Sequence, residues 1–133
     1  MARPTTAGKR ALARGFTLIE LIVVLTIIGL LLTIAVPRYF HSLDQSRETM
    51  LKQDLSVMRD AIDKYSADRG HLPEALANLV SEKYIRTIPV DPYTKTAESW
   101  VPVPSEDEND PGVKDVHSGA PGLAADGTPY VAW

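Results

Sequence analysis

The chain has 133 residues, a formal net charge of −3 and 44% apolar residues, which suits one domain with a small core. The net acidity argues against a nucleic-acid-binding protein, and the lack of cysteine excludes disulfides, thiolate metal sites and cysteine nucleophiles. Residues 1–15 carry four basic and no acidic side chains, whereas the other 118 carry 10 basic and 17 acidic ones. A basic tip on an acidic body is typical of a signal that sets membrane topology.

Residues 16–36 form an apolar run of 21 residues in which Glu20 is the single charge. As a helix the run would be about 30 Å long, which matches the hydrocarbon core of a bilayer. Because it is apolar around its whole circumference, the rest of the chain is too short to bury it on every side as a core helix. We therefore predict a membrane-spanning helix over 16–37, with the N-terminus held in the cytoplasm by its basic flank.

The run differs from a cleavable secretory signal, in which a shorter apolar stretch is followed by a small-residue cleavage site. Here the small residue, Gly15, comes before the run. Glu20 is the anomaly, because an acid inside a membrane helix is costly unless it is partnered, and it is therefore a functional candidate. The alternative is that Glu20, close to the start of the helix, lies at the level of the lipid headgroups.

These residues resemble the class III signal of type IV pilins and pseudopilins, with a basic leader, Gly before Phe, and Glu at the fifth position after the cut. The resemblance implies that a prepilin peptidase cuts between Gly15 and Phe16 and methylates the new amine of Phe16. It also implies that Glu20 pairs in a filament with the Phe16 amine of a neighbouring subunit, so Glu20→Ala should insert but assemble poorly. Gly29 and Pro37 fall where the family loosens this helix, and both residues weaken a helix physically.

A second pattern follows over residues 41–70, where apolar residues recur mostly three and four positions apart. They are Leu43, Met50, Leu51, Leu55, Met58, Ile62 and Tyr65. This spacing predicts that the helix continues as an amphipathic one and ends at Gly70. We interpret the stripe as the face that packs on the chain's own domain, the alternative being a partner-binding groove.

The rest of the chain predicts an α+β fold, with the long N-terminal helix packed on a small antiparallel sheet. A short helix is predicted over 74–85, and strands are predicted over 99–103, 113–116 and 128–133. From Gly70 to Tyr93, the order of Gly, Leu-Pro, short helix and Pro-x-Asp-Pro-aromatic resembles the G-type pseudopilin, the major subunit of type II secretion pseudopili. The resemblance divides the chain into a leader (1–15), an assembly helix (16–37) and a periplasmic pilin-like domain (38–133).

The same resemblance implies a Ca²⁺ site in the C-terminal loop, built from carboxylates and backbone carbonyls. Asp126 is the first candidate ligand and Asp115 the second. The chain departs from the family at the centre of this loop, where Gly119-Ala120-Pro121-Gly122 replaces Gly-Ala-Asp-Gly and one carboxylate is lost. The alternative for Asp126-Gly127 is a simple tight turn, for which Asp-Gly is well suited.

Catalytic chemistry is not indicated by the sequence. It has no phosphate-binding loop, no His-Glu-x-x-His and no Gly-x-Ser-x-Gly, and its histidines, His41, His71 and His117, are widely spaced. We therefore expect a protein that is not an enzyme.

The resemblance implies a structural subunit of a type II secretion pseudopilus, anchored in the bacterial inner membrane and incorporated into a periplasmic filament. Expected partners are other copies of the chain, other pseudopilins, the inner-membrane assembly platform and prepilin peptidase, with no nucleic acid. The main alternative is a type IV pilin of a surface fibre used for adhesion, motility or DNA uptake. Such pilins usually close a C-terminal loop with a disulfide, which this chain cannot form. A third alternative is a monomeric membrane-anchored binding module, in which Gly15 and Glu20 are incidental.

Overall fold

The computed structural model describes residues 1–4, 8 and 13–133. Within them the elements are helix α1 (Leu18–Arg69), helix α2 (Leu76–Ser81), strands β1 (Val101–Pro104) and β2 (Val113–His117), and a final 3-10 helix (Tyr130–Ala132). The chain divides into two compact units, Met1–Tyr39 and Phe40–Trp133. Of the predicted leader, residues 5–7 and 9–12 lie outside the described residues, and two of its basic residues, Lys9 and Arg10, are among them.

The second half of α1 forms one wall of the core of the Phe40–Trp133 unit. The buried residues of this half follow the predicted stripe and are Leu51, Leu55, Met58, Ala61, Ile62 and Tyr65. Two members of that stripe depart from the prediction, since Met50 is 55% exposed and Leu43 is only half-buried. The interpretation as a face packed on its own domain is confirmed, and α1 ends as expected at Gly70, which has a φ of 74°.

Helix α2 is shorter than predicted, because it spans Leu76–Ser81 rather than 74–85. The chain turns after Glu82, where Lys83 adopts a φ of 64°. The N–H groups of Tyr84 and Ile85 then donate to the carbonyl of Leu79 instead of continuing the helix. The fully buried Leu79 and the partly buried Leu76 attach this short helix to the core.

Strands β1 and β2 pair antiparallel, with Val101 opposite His117 and Val103 opposite Asp115. Both were predicted to within two residues, and together they confirm the α+β class, because β2 packs against α1 through buried side chains. These are Val113 and Val116, which belong to the same apolar cluster as the helix residues.

The third predicted strand, over 128–133, is wrong. The chain forms a 3-10 helix at Tyr130–Ala132, and the β-type pairing described in this segment is an isolated bridge between Leu123 and Pro129. Pro129 has no N–H for a ladder, and the next N–H, that of Tyr130, donates to the carbonyl of Gly122. The segment is therefore a compact loop closed on itself.

A buried carboxylate organises the irregular segment between α2 and β1. Asp91 is fully buried, and its Oδ1 accepts the N–H groups of Tyr93 and Thr94 at 2.7 and 3.2 Å. Its Oδ2 accepts the hydroxyl of Ser118, also fully buried, at 3.0 Å. A buried carboxylate needs such donors, so Asp91 fixes this loop against the chain that leaves β2.

Candidate functional site at the start of helix α1

The predicted cleavage bond lies in an exposed segment just before α1. Residues 13–17 have no regular secondary structure, and all of them are exposed, with Phe16 at 89%. A Cβ added at Gly15 would meet no atom of the described residues within 4 Å. The bond between Gly15 and Phe16 is therefore open to an enzyme, and the fold of this chain places no steric demand on the glycine.

The first turn of α1 is capped by a reciprocal pair of hydrogen bonds. The Glu20 N–H donates to Thr17 Oγ1 at 3.1 Å, and the Thr17 N–H donates to Glu20 Oε2 at 3.4 Å. This is a capping box, which satisfies two N–H groups that have no partner inside the helix. Thr17 was not among the residues predicted from the sequence, although the Thr-x-x-Glu spacing is typical of a capping box.

The geometry gives Glu20 a weak partner inside its own chain. Its bond to the Thr17 N–H, at 3.4 Å, is longer than a normal N–H···O hydrogen bond. The carboxylate is exposed and lies at the positive end of the helix dipole. It can therefore exchange this bond for a cationic partner at little cost.

The apolar run beyond Glu20 is not covered by the described part of the chain. Every residue from 18 to 36 is exposed, and its large apolar side chains have between 44% and 75% of their surface accessible. Among the described residues, one helix, α1, is long enough and apolar enough to cross a membrane, judged by its length and composition. A contiguous apolar surface of this extent favours lipid or another apolar surface over water.

The polar groups within the run are compatible with an apolar environment. The hydroxyls of Thr26 and Thr33 donate to the carbonyls of Ile22 and Leu30, at 2.8 and 2.6 Å. Hydroxyls satisfied within their own helix add little cost in lipid. The helix contains both Gly29 and Pro37, and the bending expected at these residues stays a prediction.

The two carboxylates suggested for Ca²⁺ are each occupied by other contacts. Asp115 Oδ1 accepts from Arg59 Nε at 2.7 Å, and Asp126 Oδ1 accepts the N–H and the hydroxyl of Thr128 at 2.9 and 2.6 Å. The Thr128 hydroxyl and N–H lower the pKa of Asp126. Within residues 1–4, 8 and 13–133, no three His, Cys, Asp or Glu side chains come together as a metal site. These side chains do not by themselves fit a Ca²⁺ ion, which prefers six to eight oxygens.

The histidines also lie apart in the fold. His41 and His71 are exposed, and His71 contacts the ring of Tyr65 edge-on at 5.7 Å. His117 is half-buried, and its Nδ1 lies 2.6 Å from the carbonyl oxygen of Trp133. Among the described residues, none of these histidines belongs to a group of three or more side chains that could hold a metal ion.

Comparisons with known proteins match the features described above. A family model described as the prokaryotic N-terminal methylation motif matches residues 10–36, which include the predicted cleavage bond and Glu20. The chain is 31% identical over 96 residues to the type II secretion system core protein G of Escherichia coli K12, covering 60% of this chain and 66% of that one. It is 34% identical over 95 residues to the protein of the same name from Pseudomonas aeruginosa, covering 59% and 67%.

A fimbrial protein is also similar over a shorter stretch. The chain is 41% identical over 54 residues to the type IV major fimbrial protein of Dichelobacter nodosus, covering 41% of this chain and 35% of that one. The search of solved structures found no match. The chain spans about two thirds of the length of the core proteins G that it matches. By its identity to these proteins over that length, the chain belongs to the family of the type II secretion system core protein G.

Proposed function

We propose that the chain is a structural, non-enzymatic subunit of a type II secretion pseudopilus. The observation that carries this proposal is the exposed apolar helix of residues 18–36, with a lone acid beside an open Gly15–Phe16 bond. Membership of the core protein G family supports it, as do the names of the relatives, which describe secretion and fimbrial proteins rather than enzymes.

The first step is insertion into the bacterial inner membrane. Lipid covers the apolar surface of 18–36, and the basic residues before it, Arg14 among them, keep the N-terminus in the cytoplasm. The unit Phe40–Trp133 then lies in the periplasm. Its core is formed by its own side chains, so it does not depend on lipid to fold.

The second step is processing. Prepilin peptidase hydrolyses the exposed bond between Gly15 and Phe16, which leaves a carboxylate on Gly15 and an amine on Phe16. A methyl group from a sulfonium methyl donor then replaces one proton of that amine. The cut removes the basic leader and creates a cation one residue before Thr17, the first member of the capping box. The mature chain therefore carries one positive and one negative group within the same short segment.

The third step is polymerisation. When subunits leave the membrane, other copies of the helix replace lipid around residues 18–36, and Glu20 enters an apolar bundle. A carboxylate there needs a cation, and the Phe16 amine of a neighbouring subunit supplies one. The pair would also fix the axial register of the bundle. Other pseudopilins and the inner-membrane platform are the expected partners of this step.

Intact-mass measurement of the protein from cells that carry the secretion system tests the processing step. We expect loss of residues 1–15 and gain of one methyl group. Gly15→Leu should block the cut without disturbing the fold, because a Cβ at Gly15 meets no atom of the described residues within 4 Å. Gly8→Leu is the matched control, since Gly8 is equally open, and it should be processed normally. An uncut, unmethylated wild-type protein would contradict the proposal and favour a membrane-anchored binding module.

The second candidate function is a type IV pilin of a surface fibre, favoured by the similarity to the fimbrial protein of Dichelobacter nodosus. Both candidates share the processing steps, so mass measurement does not separate them. Deletion of the coding sequence does separate them. Loss of protein secretion with motility unchanged supports the pseudopilus, and loss of motility or adhesion with secretion unchanged supports the pilin.

A further inference from the structure

The C-terminal loop, residues 121–133, is fastened to α1 by one carboxylate. Glu48 Oε1 accepts the N–H of Ala125 at 2.8 Å and the hydroxyl of Tyr130 at 3.0 Å. These partners lie 77 and 82 residues further along the chain. Hydrogen bonds to a charged acceptor are stronger than those between neutral groups, so this single side chain holds the loop at two points.

Tyr130 carries this contact into the core. It is 6% exposed, and its ring lies 4.4 Å from that of Tyr93 and 5.2 Å from that of Trp133, between ring centroids. The hydroxyls of Tyr130 and Tyr93 are 2.9 Å apart. Burial, together with the hydrogen bonds to Tyr93 and Glu48, raises the pKa of Tyr130, so its hydroxyl keeps the proton that it donates.

Other polar groups of the loop are satisfied within it. The N–H of Ala124 donates to the carbonyl of Thr128 at 2.8 Å, and that of Gly127 donates to the carbonyl of Ala124 at 2.9 Å. Gly127 has a φ of 85°, which favours glycine at this turn. Asp126 Oδ1 is used within the same turn by Thr128. The Asp-Gly pair therefore shapes a tight turn.

A second contact lies one helical turn along α1. Lys52 Nζ lies 4.6 Å from the centroid of the Trp133 ring, in a cation–π geometry. Lys52 and Glu48 are four residues apart and so share one face of the helix. Trp133 Nε1 in turn donates to Thr128 Oγ1 at 2.9 Å. One face of α1 thus contacts the loop through the carboxylate of Glu48 and the ammonium group of Lys52.

We propose that Glu48 clamps residues 121–133 onto α1, and that this clamp, in place of a bound divalent cation, holds the C-terminal loop in position. One oxygen of each carboxylate suggested for Ca²⁺ is engaged elsewhere, since Asp115 Oδ1 accepts from Arg59 and Asp126 Oδ1 accepts from Thr128. The clamp supplies the long-range attachment that the loop requires. It concerns the folding of one unit and stands apart from the proposed filament function.

Hydrogen exchange of the full chain in detergent micelles, followed by mass spectrometry of peptides from 121–133, tests the clamp. Protection of these peptides should be the same in CaCl₂ and in EGTA. Glu48→Ala should speed their exchange about tenfold or more in both, because it removes two charge-assisted hydrogen bonds. Asp63→Ala, which removes an exposed acid from the same helix, is the matched control and should leave their exchange unchanged.

Tyr130→Phe is the second variant, because it removes one bond to Glu48 and keeps the ring. Exchange of the loop should rise by less than in Glu48→Ala, with peptides of β2 still protected. If EGTA exposes the wild-type loop, or if Glu48→Ala leaves its protection unchanged, the proposal is overturned. Should Glu48→Ala unfold the whole unit, Tyr130→Phe decides, and unchanged loop exchange in that variant overturns the proposal as well.

Discussion

The two halves of α1 have the same secondary structure and opposite surroundings. From Leu18 to Val36 every side chain is exposed, whereas from Leu51 to Tyr65 one face is buried among side chains of the same unit. The first half is apolar all round, and the second is apolar along a stripe. Helix formation alone therefore says little about stability, and the source of stability is whatever covers the apolar surface. The chain covers the second half itself and leaves the first to its surroundings.

The largest effect that separates the halves is the removal of a leucine side chain. Leu55→Ala should lower the free energy of unfolding by about 2–5 kcal/mol, because Leu55 is 2% exposed in the core. Leu25→Ala, its counterpart in the first half, should change it by less than about 0.5 kcal/mol, because Leu25 is 58% exposed. Denaturant unfolding of the full chain in micelles, followed by Trp100 fluorescence, measures both. Equal losses for the two variants would contradict the comparison.

The next effect concerns Asp91, the buried carboxylate that organises the segment between α2 and β1 in the unit Phe40–Trp133. Asp91→Ala should lower the free energy of unfolding by about 2–3 kcal/mol, because it removes three hydrogen bonds and leaves the buried Ser118 hydroxyl without its acceptor. Asp91→Asn keeps one acceptor oxygen and should lose less. The same unfolding assay ranks the two. If Asp91→Asn lost as much free energy of unfolding as Asp91→Ala, the charge of Asp91 would matter more than the hydrogen bonds that it accepts.

The smallest effects are two opposite dependences of the folding stability on pH, one from Asp115 and one from Asp54. Burial raises the pKa of Asp115, but the Val116 N–H and Arg59 outweigh it, and the net pKa is lowered. The folded state therefore binds fewer protons than the unfolded one, and this stability is present above the usual pKa of about 4 and is lost as pH falls below it. Since both partners are more than a third exposed, the contribution is at most about 1 kcal/mol.

Asp54, on the second half of α1, has the opposite sign. Burial, and then the charge of Asp91, raise its pKa, so stability falls as pH rises from the usual value through the raised one. Asp54→Asn should therefore raise the melting temperature slightly at pH 7, while Asp115→Asn should lower it. Thermal melts between pH 3 and pH 7 measure both. Shifts of the same sign in the two variants would show that the electrostatic account of these groups is mistaken.

The halves of α1 were predictable because each has a strong pattern over many residues, one an unbroken apolar run and the other a spacing of three and four. Strands β1 and β2 were also legible. The 3-10 helix at Tyr130–Ala132 was not, because Thr-Pro-Tyr-Val-Ala-Trp has the composition of a strand, whereas Tyr130 bonds to Gly122 and Glu48, which are distant in the sequence.

The candidate site shows the same division between local and distant contacts. The roles of Gly15, Phe16 and Glu20 were predicted from a local motif that resembles the pilin signal, and they stay predictions. Thr17 could have been added to them, because it lies three positions before Glu20. The partners of Glu48 and Asp91 could not be predicted from neighbouring residues. Glu48 meets Tyr130 across 82 residues and Asp91 meets Ser118 across 27, and no local spacing encodes such pairs.

The proposed filament requires the charge of Glu20 to be neutralised by another copy of the chain when the first half of α1 leaves the membrane. The most direct test is the fraction of Glu20→Gln protein recovered as filament from cells that carry the secretion system. Glutamine can still serve in the capping box with Thr17, so the start of the helix is kept and only the charge is lost. Leaving the partner amine unpaired in an apolar bundle costs about 3–5 kcal/mol. We expect the variant to be inserted and cut but not assembled, as for Glu20→Ala; filaments in wild-type amounts from Glu20→Gln would contradict the account.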